Sequence, residues 1–276
     1  MAGAAVDDPV ADAMAAAVDF LADLAETAAS TADDEHKVAR FADEFYRFRQ
    51  PTRTFVFPEI AEPIVIEQRY LAVADTGGAV YDAAVVLAQC LCRGGPEIGG
   101  PVRGKHVVDI GTGTALTAIV AAKLGAASVA ATDGDRTAVE LAARNVGANG
   151  WPQPNATVSV HRFVWGHYDD SPFTRRLRDA PEATDLFLAA DLIHDNSMYP
   201  VLLEMFGVLL PPRHTAGRLL MCYPTRCAPV EEAFLVSLRE QGGFVVTRLD
   251  VAPWQTSTMA LPINLICLTR PRPAPV

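Results

Sequence analysis

From Lys105 to the end of the chain, short apolar β-rich segments alternate with stretches of helical periodicity, and few folds can accommodate that order. The strand-like segments are His106–Ile110, Ser128–Thr132, Thr157–Phe163, Leu186–Ala190, Arg218–Cys222, Phe244–Leu249 and Leu265–Thr269. Between the first six lie helix-like segments: Leu116–Leu124, Thr137–Gly147, a short piece at Pro172–Arg178, Ser197–Leu210 and Ala228–Gln241. Parallel strands need crossover connections, so this alternation predicts an α/β fold with a mostly parallel sheet covered on both faces. The last two strand segments are joined without a helix, through Pro253, Trp254 and Pro262. The last strand is therefore expected to run antiparallel.

Two regions precede this core. Residues 1–50 read as a helical extension of two helices, with Met14, Val18, Leu21 and Leu24 on one and Val38, Phe41, Phe45 and Phe48 on the other. Ser30 to Asp34 supply turn and capping residues between them. Residues 51–102 hold two β-rich stretches, Thr54–Phe57 and Ile64–Gln68, linked across Pro58 and Pro63 as in an antiparallel pair. Thr76-Gly77-Gly78 then leads into an apolar helix, Ala79–Cys92, ended by Arg93-Gly94-Gly95-Pro96. The expected organisation is an extension at 1–50, one domain at 51–270 with its seven-strand core at 103–270, and an extended, disordered Pro-rich tail at 271–276.

Half of the 276 residues are hydrophobic, enough to bury a substantial core, yet no apolar run is long enough to span a membrane. The Ala-rich start, acidic and without a basic residue before His36 and Lys37, lacks the features of a secretory or transit signal. A cytoplasmic protein, with the nucleus left open, is the expectation. Five cysteines without Cys-x-x-Cys or paired-His spacing read as reduced thiols, and no metal site is expected. The net charge of −10, with no basic stripe, argues against a nucleic-acid partner and suits a basic one. The sequence leaves the oligomeric state open.

The first strand of the core ends in Val107-Val108-Asp109-Ile110-Gly111-Thr112-Gly113-Thr114 and runs into a helix. Glycines at such a turn let the backbone approach a ligand at the helix N-terminus. A dinucleotide fingerprint wants a third glycine where Leu116 stands, which disfavours a nicotinamide dehydrogenase. Asp133 ends the second strand, where a carboxylate accepts hydrogen bonds from ribose hydroxyls; capping the helix near Thr137 or forming a turn with Gly134 is its alternative role. Asp135 reads as a structural cap.

From Gln68 to Leu249 the chain resembles family sixteen of the methyltransferase-like protein lysine methyltransferases, among the seven-strand, Rossmann-like class I enzymes that use S-adenosyl-L-methionine. The resemblance is carried in order by Thr76-Gly77-Gly78-Ala79-Val80-Tyr81-Asp82-Ala83-Ala84, with Tyr81 in place of tryptophan, and by Val108–Thr114 and Leu124-Gly125-Ala126. It continues through Thr132-Asp133, Asn145 and Asn149, Val164-Trp165-Gly166 and Ala189-Ala190-Asp191-Leu192-Ile193-His194. The resemblance implies that Gly111, Thr112 and Gly113 line the methionine and ribose side of the cofactor. It also implies Asp109 in the same loop, Asp133 on the ribose, Trp165 against adenine, Ala190 as a backbone contact, and Tyr81 beside the amino-acid part. For Trp165 and Tyr81 plain core packing is the alternative.

Methyl transfer to an amine needs alignment and a group that orients the nucleophile. The resemblance implies Asp191 for this role, a helix cap being its alternative. His194 stands where the family has tyrosine, and is either a second catalytic group or a loop histidine. That departure keeps three functions open: transfer to a protein lysine (or arginine), transfer to a small-molecule amine, or cofactor binding without catalysis. Asn-Pro-Pro-Tyr, which marks nucleic-acid amino methyltransferases, does not occur. Arg226 matches an arginine of the family and is expected to pair with Glu231 or Glu232 and fix its loop.

Overall fold

The central sheet of the computed structural model has seven strands in the order β5-β4-β3-β6-β7-β9-β8. The structure describes residues 32–70, 76–150 and 157–272, so the helix expected around Met14–Leu24 and the last four residues of the tail lie outside it. The sheet strands are β3 (His106–Ile110), β4 (Ser128–Asp133), β5 (Thr157–Arg162), β6 (Leu186–Ala190), β7 (Arg218–Pro224), β8 (Val245–Leu249) and β9 (Ile263–Thr269). β3 through β7 pair in parallel, whereas β9 is antiparallel to both β7 and β8. All seven expected strands form, with the antiparallel turnabout where the chain lacks a crossover helix.

The helices are α1 (Ala32–Arg49), α2 (Asp82–Arg93), α3 (Leu116–Lys123), α4 (Arg136–Ala148), α5 (Pro172–Asp179), α6 (Tyr199–Leu209) and α7 (Ala228–Glu240). Helices α6 and α7 bury Leu202, Met205, Phe206, Phe234, Leu235 and Leu238 with the side chains of Phe187, Met221 and Tyr223 from β6 and β7. Helices α2 and α3 pack together, α2 against β7 and β9 and α3 against β3 and β4. Seven of the eight residues of α3 are buried, as expected of a helix apolar all round.

Among the described residues the chain divides into two compact units: α1 as far as Arg47 with Ser257–Ala260, and everything else. Within the first, Arg47 donates to the carbonyl of Thr258. Asp33 and Asp34, expected in a turn, are already helical.

A two-stranded antiparallel sheet, β1 (Thr52–Phe55) with β2 (Ile64–Glu67), belongs to the larger unit. β1 begins and ends two residues earlier than Thr54–Phe57, because its ladder closes at the Phe55–Ile64 pair. The next partner would be Pro63, which has no N–H to give. On the other edge of β2, α4 supplies a side-chain ladder. Asn145 accepts from the Glu67 N–H (2.8 Å) and donates to the carbonyls of Glu67 and Thr114 (both 3.0 Å). Asn149 accepts from Val65 N–H (3.0 Å) and returns a bond to its carbonyl (2.8 Å). Two asparagines one helical turn apart thus mimic a strand and tie β2 to the glycine loop.

The helix expected over Ala79–Cys92 starts at Asp82, after a 3-10 turn at Thr76–Gly78. The Val80 N–H donates to Gln68 Oε1 (2.8 Å) and its carbonyl accepts from Arg53 (2.7 Å), so the backbone at Val80 is held from outside. Tyr81 is consequently extended, at the N-cap rather than on the helix.

Candidate functional site

A cleft of about 710 Å³ opens along the C-terminal ends of β3 to β7, where ligands of open parallel sheets bind. At its centre is the loop between β3 and α3. Gly111 and Gly113 adopt φ of 61° and 50°, and Ala115, at the N-cap of α3, has φ 67°. A Cβ on Gly111 would strike the Leu192 side chain, and one on Gly113 would meet the Gly77 carbonyl oxygen at 3.0 Å. The loop therefore needs glycine for conformation and for space. Gly77 presses against Gly113 with Asp133 close behind, so Thr76-Gly77 forms one wall of the cleft.

Asp109 lies beneath this loop rather than along the cleft. It is 1% exposed, and its Oδ2 accepts from Thr112 Oγ1 (2.6 Å) and Thr117 Oγ1 (2.7 Å). Burial pushes its carboxyl up from 3.8 to about 6, opposed by those hydroxyls and the Ala118 N–H. It holds the loop in shape from behind. The other residues implied for the cofactor, Tyr81, Gly111, Thr112, Gly113, Asp133, Trp165 and Ala190, all line the cleft.

Asp133 ends β4, accepting from the N–H groups of Gly113 and Asp135, each at 3.0 Å. It does not cap α4: Asp135 does, through the Ala138 N–H at 2.8 Å. Trp165 follows β5 and is partly buried at the edge of the core, so it packs and lines the cleft at once. The Tyr81 ring is 4.7 Å from that of Phe48.

At the ends of β6 and β7 stands a second group. Asp191 has φ 61° and shares with Ala115 the only positive φ outside glycine among the described residues. Such a conformation costs about 1 kcal/mol or more and needs support from its surroundings. Its N–H donates to the Cys222 carbonyl (2.8 Å), and its own carbonyl accepts from His194 Nδ1 (3.0 Å). Its carboxylate accepts two bonds from the Arg226 guanidinium, 2.6 and 2.8 Å. Asp191 caps no helix; Asp195 does so, at the Ser197 N–H.

Arg226 meets Glu231 as expected, but through its backbone N–H, whereas its guanidinium pairs with Asp191. Glu231 accepts backbone N–H bonds from Arg226 and Cys227 at the start of α7, and Glu232 is engaged by Arg239 and Arg248. The Arg226 side chain is therefore turned into the cleft. The sequence offered no sign of this, since the two partners are 35 residues apart. Arg162 and Met198 also line the cleft, and neither belongs to a motif that the sequence shows.

A parallel sheet with a glycine-turn loop, a carboxylate ending the next strand and a strained Asp ending β6 defines a class I methyltransferase. A family model described as lysine methyltransferase matches residues 61–241. Protein N-lysine methyltransferase METTL21A of Mus musculus is 36% identical over 163 residues, covering 59% of this chain and 67% of that protein. Protein-lysine N-methyltransferase EFM3 of Chaetomium thermophilum is 32% identical over 186 residues, covering 66% of this chain and 53% of that protein. The chain belongs to the lysine methyltransferase family, whose cofactor is S-adenosylmethionine. The cleft fits that group, since it has a tight left-handed glycine turn at one side and a carboxylate and an indole at the other.

Proposed function

We infer that this protein methylates a lysine side chain of a protein, using S-adenosylmethionine. Gly111, Thr112 and Gly113 hold the methionine and ribose side, Asp133 the ribose hydroxyls, Trp165 the adenine face, Ala190 a backbone contact and Tyr81 the amino-acid end. When bound, the cofactor supplies an electrophilic methyl group on a sulfonium centre. The chain must then align a neutral amine with it and keep that amine from turning away.

The observation that carries this reading is Asp191: a carboxylate in a strained turn at the mouth of β6, pinned through its N–H, its carbonyl and both its oxygens. A carboxylate so fixed can accept an N–H from the incoming amine and stabilise the positive charge that grows on nitrogen as the N–C bond forms. His194 supports it through the turn. Its Nδ1 donates to the Asp191 carbonyl, which makes the neutral ring the tautomer with its lone pair on Nε2. The relatives named above are protein N-lysine methyltransferases, which favours a protein acceptor over a small amine.

The test is transfer of a radiolabelled methyl group from S-adenosylmethionine to a cell extract, with acceptors identified by mass spectrometry. Labelled lysine in protein is expected, with Asp191→Ala losing at least about a hundredfold in rate while binding the cofactor normally. Cofactor binding without transfer to any protein overturns the reading.

A further inference from the structure

Among the described residues, the carboxylate proposed to receive the amine is already bound by a guanidinium. A lone carboxylate in a half-buried site would hold a lysine as its ammonium, raising the amine's pKa and removing the lone pair that must attack. We propose that Arg226 is the positioning residue that offsets this: by pairing with Asp191 it makes the acceptor site close to neutral, so that the bound lysine gives up its proton to water and is held as the free amine.

The geometry supports both halves of this role. The fork-to-fork contact, 2.6 and 2.8 Å, fixes the plane of the Asp191 carboxylate. A carboxylate has about four lone-pair positions and this contact takes two, which leaves acceptor capacity for an amine N–H. Arg226 is itself tied down, its N–H on Glu231 Oε1 (2.6 Å). The Asp191 side chain is 9% exposed and that of Arg226 37%, so the carboxylate is enclosed while water screens one side of the guanidinium and holds its effect to about one pH unit.

Other ionisable groups face the pair: His194 and Asp195 from the turn after β6, Tyr199 from α6, Cys227 and Glu231 at the start of α7, and Cys222 on β7. Of these and Arg226, only Arg226 is positive at every accessible pH. The cleft's other arginine, Arg162, sits on β5, three places along the sheet from β6.

This inference rests on the function proposed above, and one experiment separates the two. The acceptor is the protein most strongly labelled in the extract, purified and supplied at saturation, and kcat is followed from pH 6 to 10 with wild type, Arg226→Gln and Arg226→Lys. The acid limb of kcat reports the bound amine. In Arg226→Gln it should move up by about one pH unit, a loss of about tenfold near neutrality that recovers at high pH. Arg226→Lys keeps the charge without the fork, so its acid limb should stay near the wild-type position even where the rate falls, and calorimetry should find cofactor affinity unchanged in both. A uniform loss at all pH values, or a fall in cofactor affinity, makes Arg226 a structural support only and overturns the inference while leaving the function standing. An unmoved limb overturns it as well. No labelled protein with wild type overturns the function itself, and this inference with it.

Discussion

Replacing Asp109 with asparagine tests whether the glycine loop rests on a buried charge. The carboxyl is fully enclosed, and its pKa rises from 3.8 to about 6 on folding. Between those values the native protein binds more protons than the unfolded chain, so stability falls as pH rises through the window and is level above it. Over the full window the loss is about 3 kcal/mol, of which about 2 kcal/mol falls between pH 4 and 7. Asparagine keeps an oxygen for the Thr112 and Thr117 hydroxyls and carries no charge, but sets an NH₂ against the Ala118 N–H, an unmade bond costing about 1–3 kcal/mol. Absolute stability at pH 7 is thus a poor readout, because the two effects are of similar size. The informative quantity is the difference in unfolding free energy, variant minus wild type, from urea titrations at pH 4, 5, 6 and 7. It should climb by about 2 kcal/mol over that range, since every other titrating group is common to both proteins. Parallel curves would refute the argument that Asp109 is ionised at a desolvation cost.

Two further substitutions probe the walls of the cleft. Gly113→Ala forces a Cβ into a left-handed residue 3.0 Å from the Gly77 carbonyl oxygen. A cost of about 1–2 kcal/mol should lower Tm by about 3–6 °C and weaken S-adenosylmethionine binding at least about tenfold by calorimetry; a wild-type Tm and Kd would show that the loop relaxes freely. Asn145→Leu keeps the bulk but orphans the Glu67 N–H and the carbonyls of Glu67 and Thr114. Losing three bonds at about 1 kcal/mol or more each should take about 3 kcal/mol or more from the urea unfolding free energy, and a loss under about 1 kcal/mol would mean that water replaces the ladder.

Most of the fold was legible in the sequence because each strand and helix carries its own pattern. The boundaries that moved did so for non-local reasons: Pro63 closing the β1–β2 ladder, Gln68 and Arg53 taking the backbone of Val80 and delaying α2 to Asp82. Asn145 and Asn149 were visible as a pair, but not as an artificial strand edge, since nothing in a helix one turn apart says what lies opposite.

The alternation after Lys105, the missing crossover helix before the last strand and the glycine turn at Gly111–Gly113 follow from sequence alone, because apolar period, turn chemistry and connection length act over a few residues. Tertiary structure decided which charges meet. Only the parallel pairing of β6 with β7 brings the turn at Asp191 beside the loop at Arg226, and only burial moves Asp109 beneath the loop it supports. Charge pairing and desolvation depend on distance in space, and strand order sets that distance.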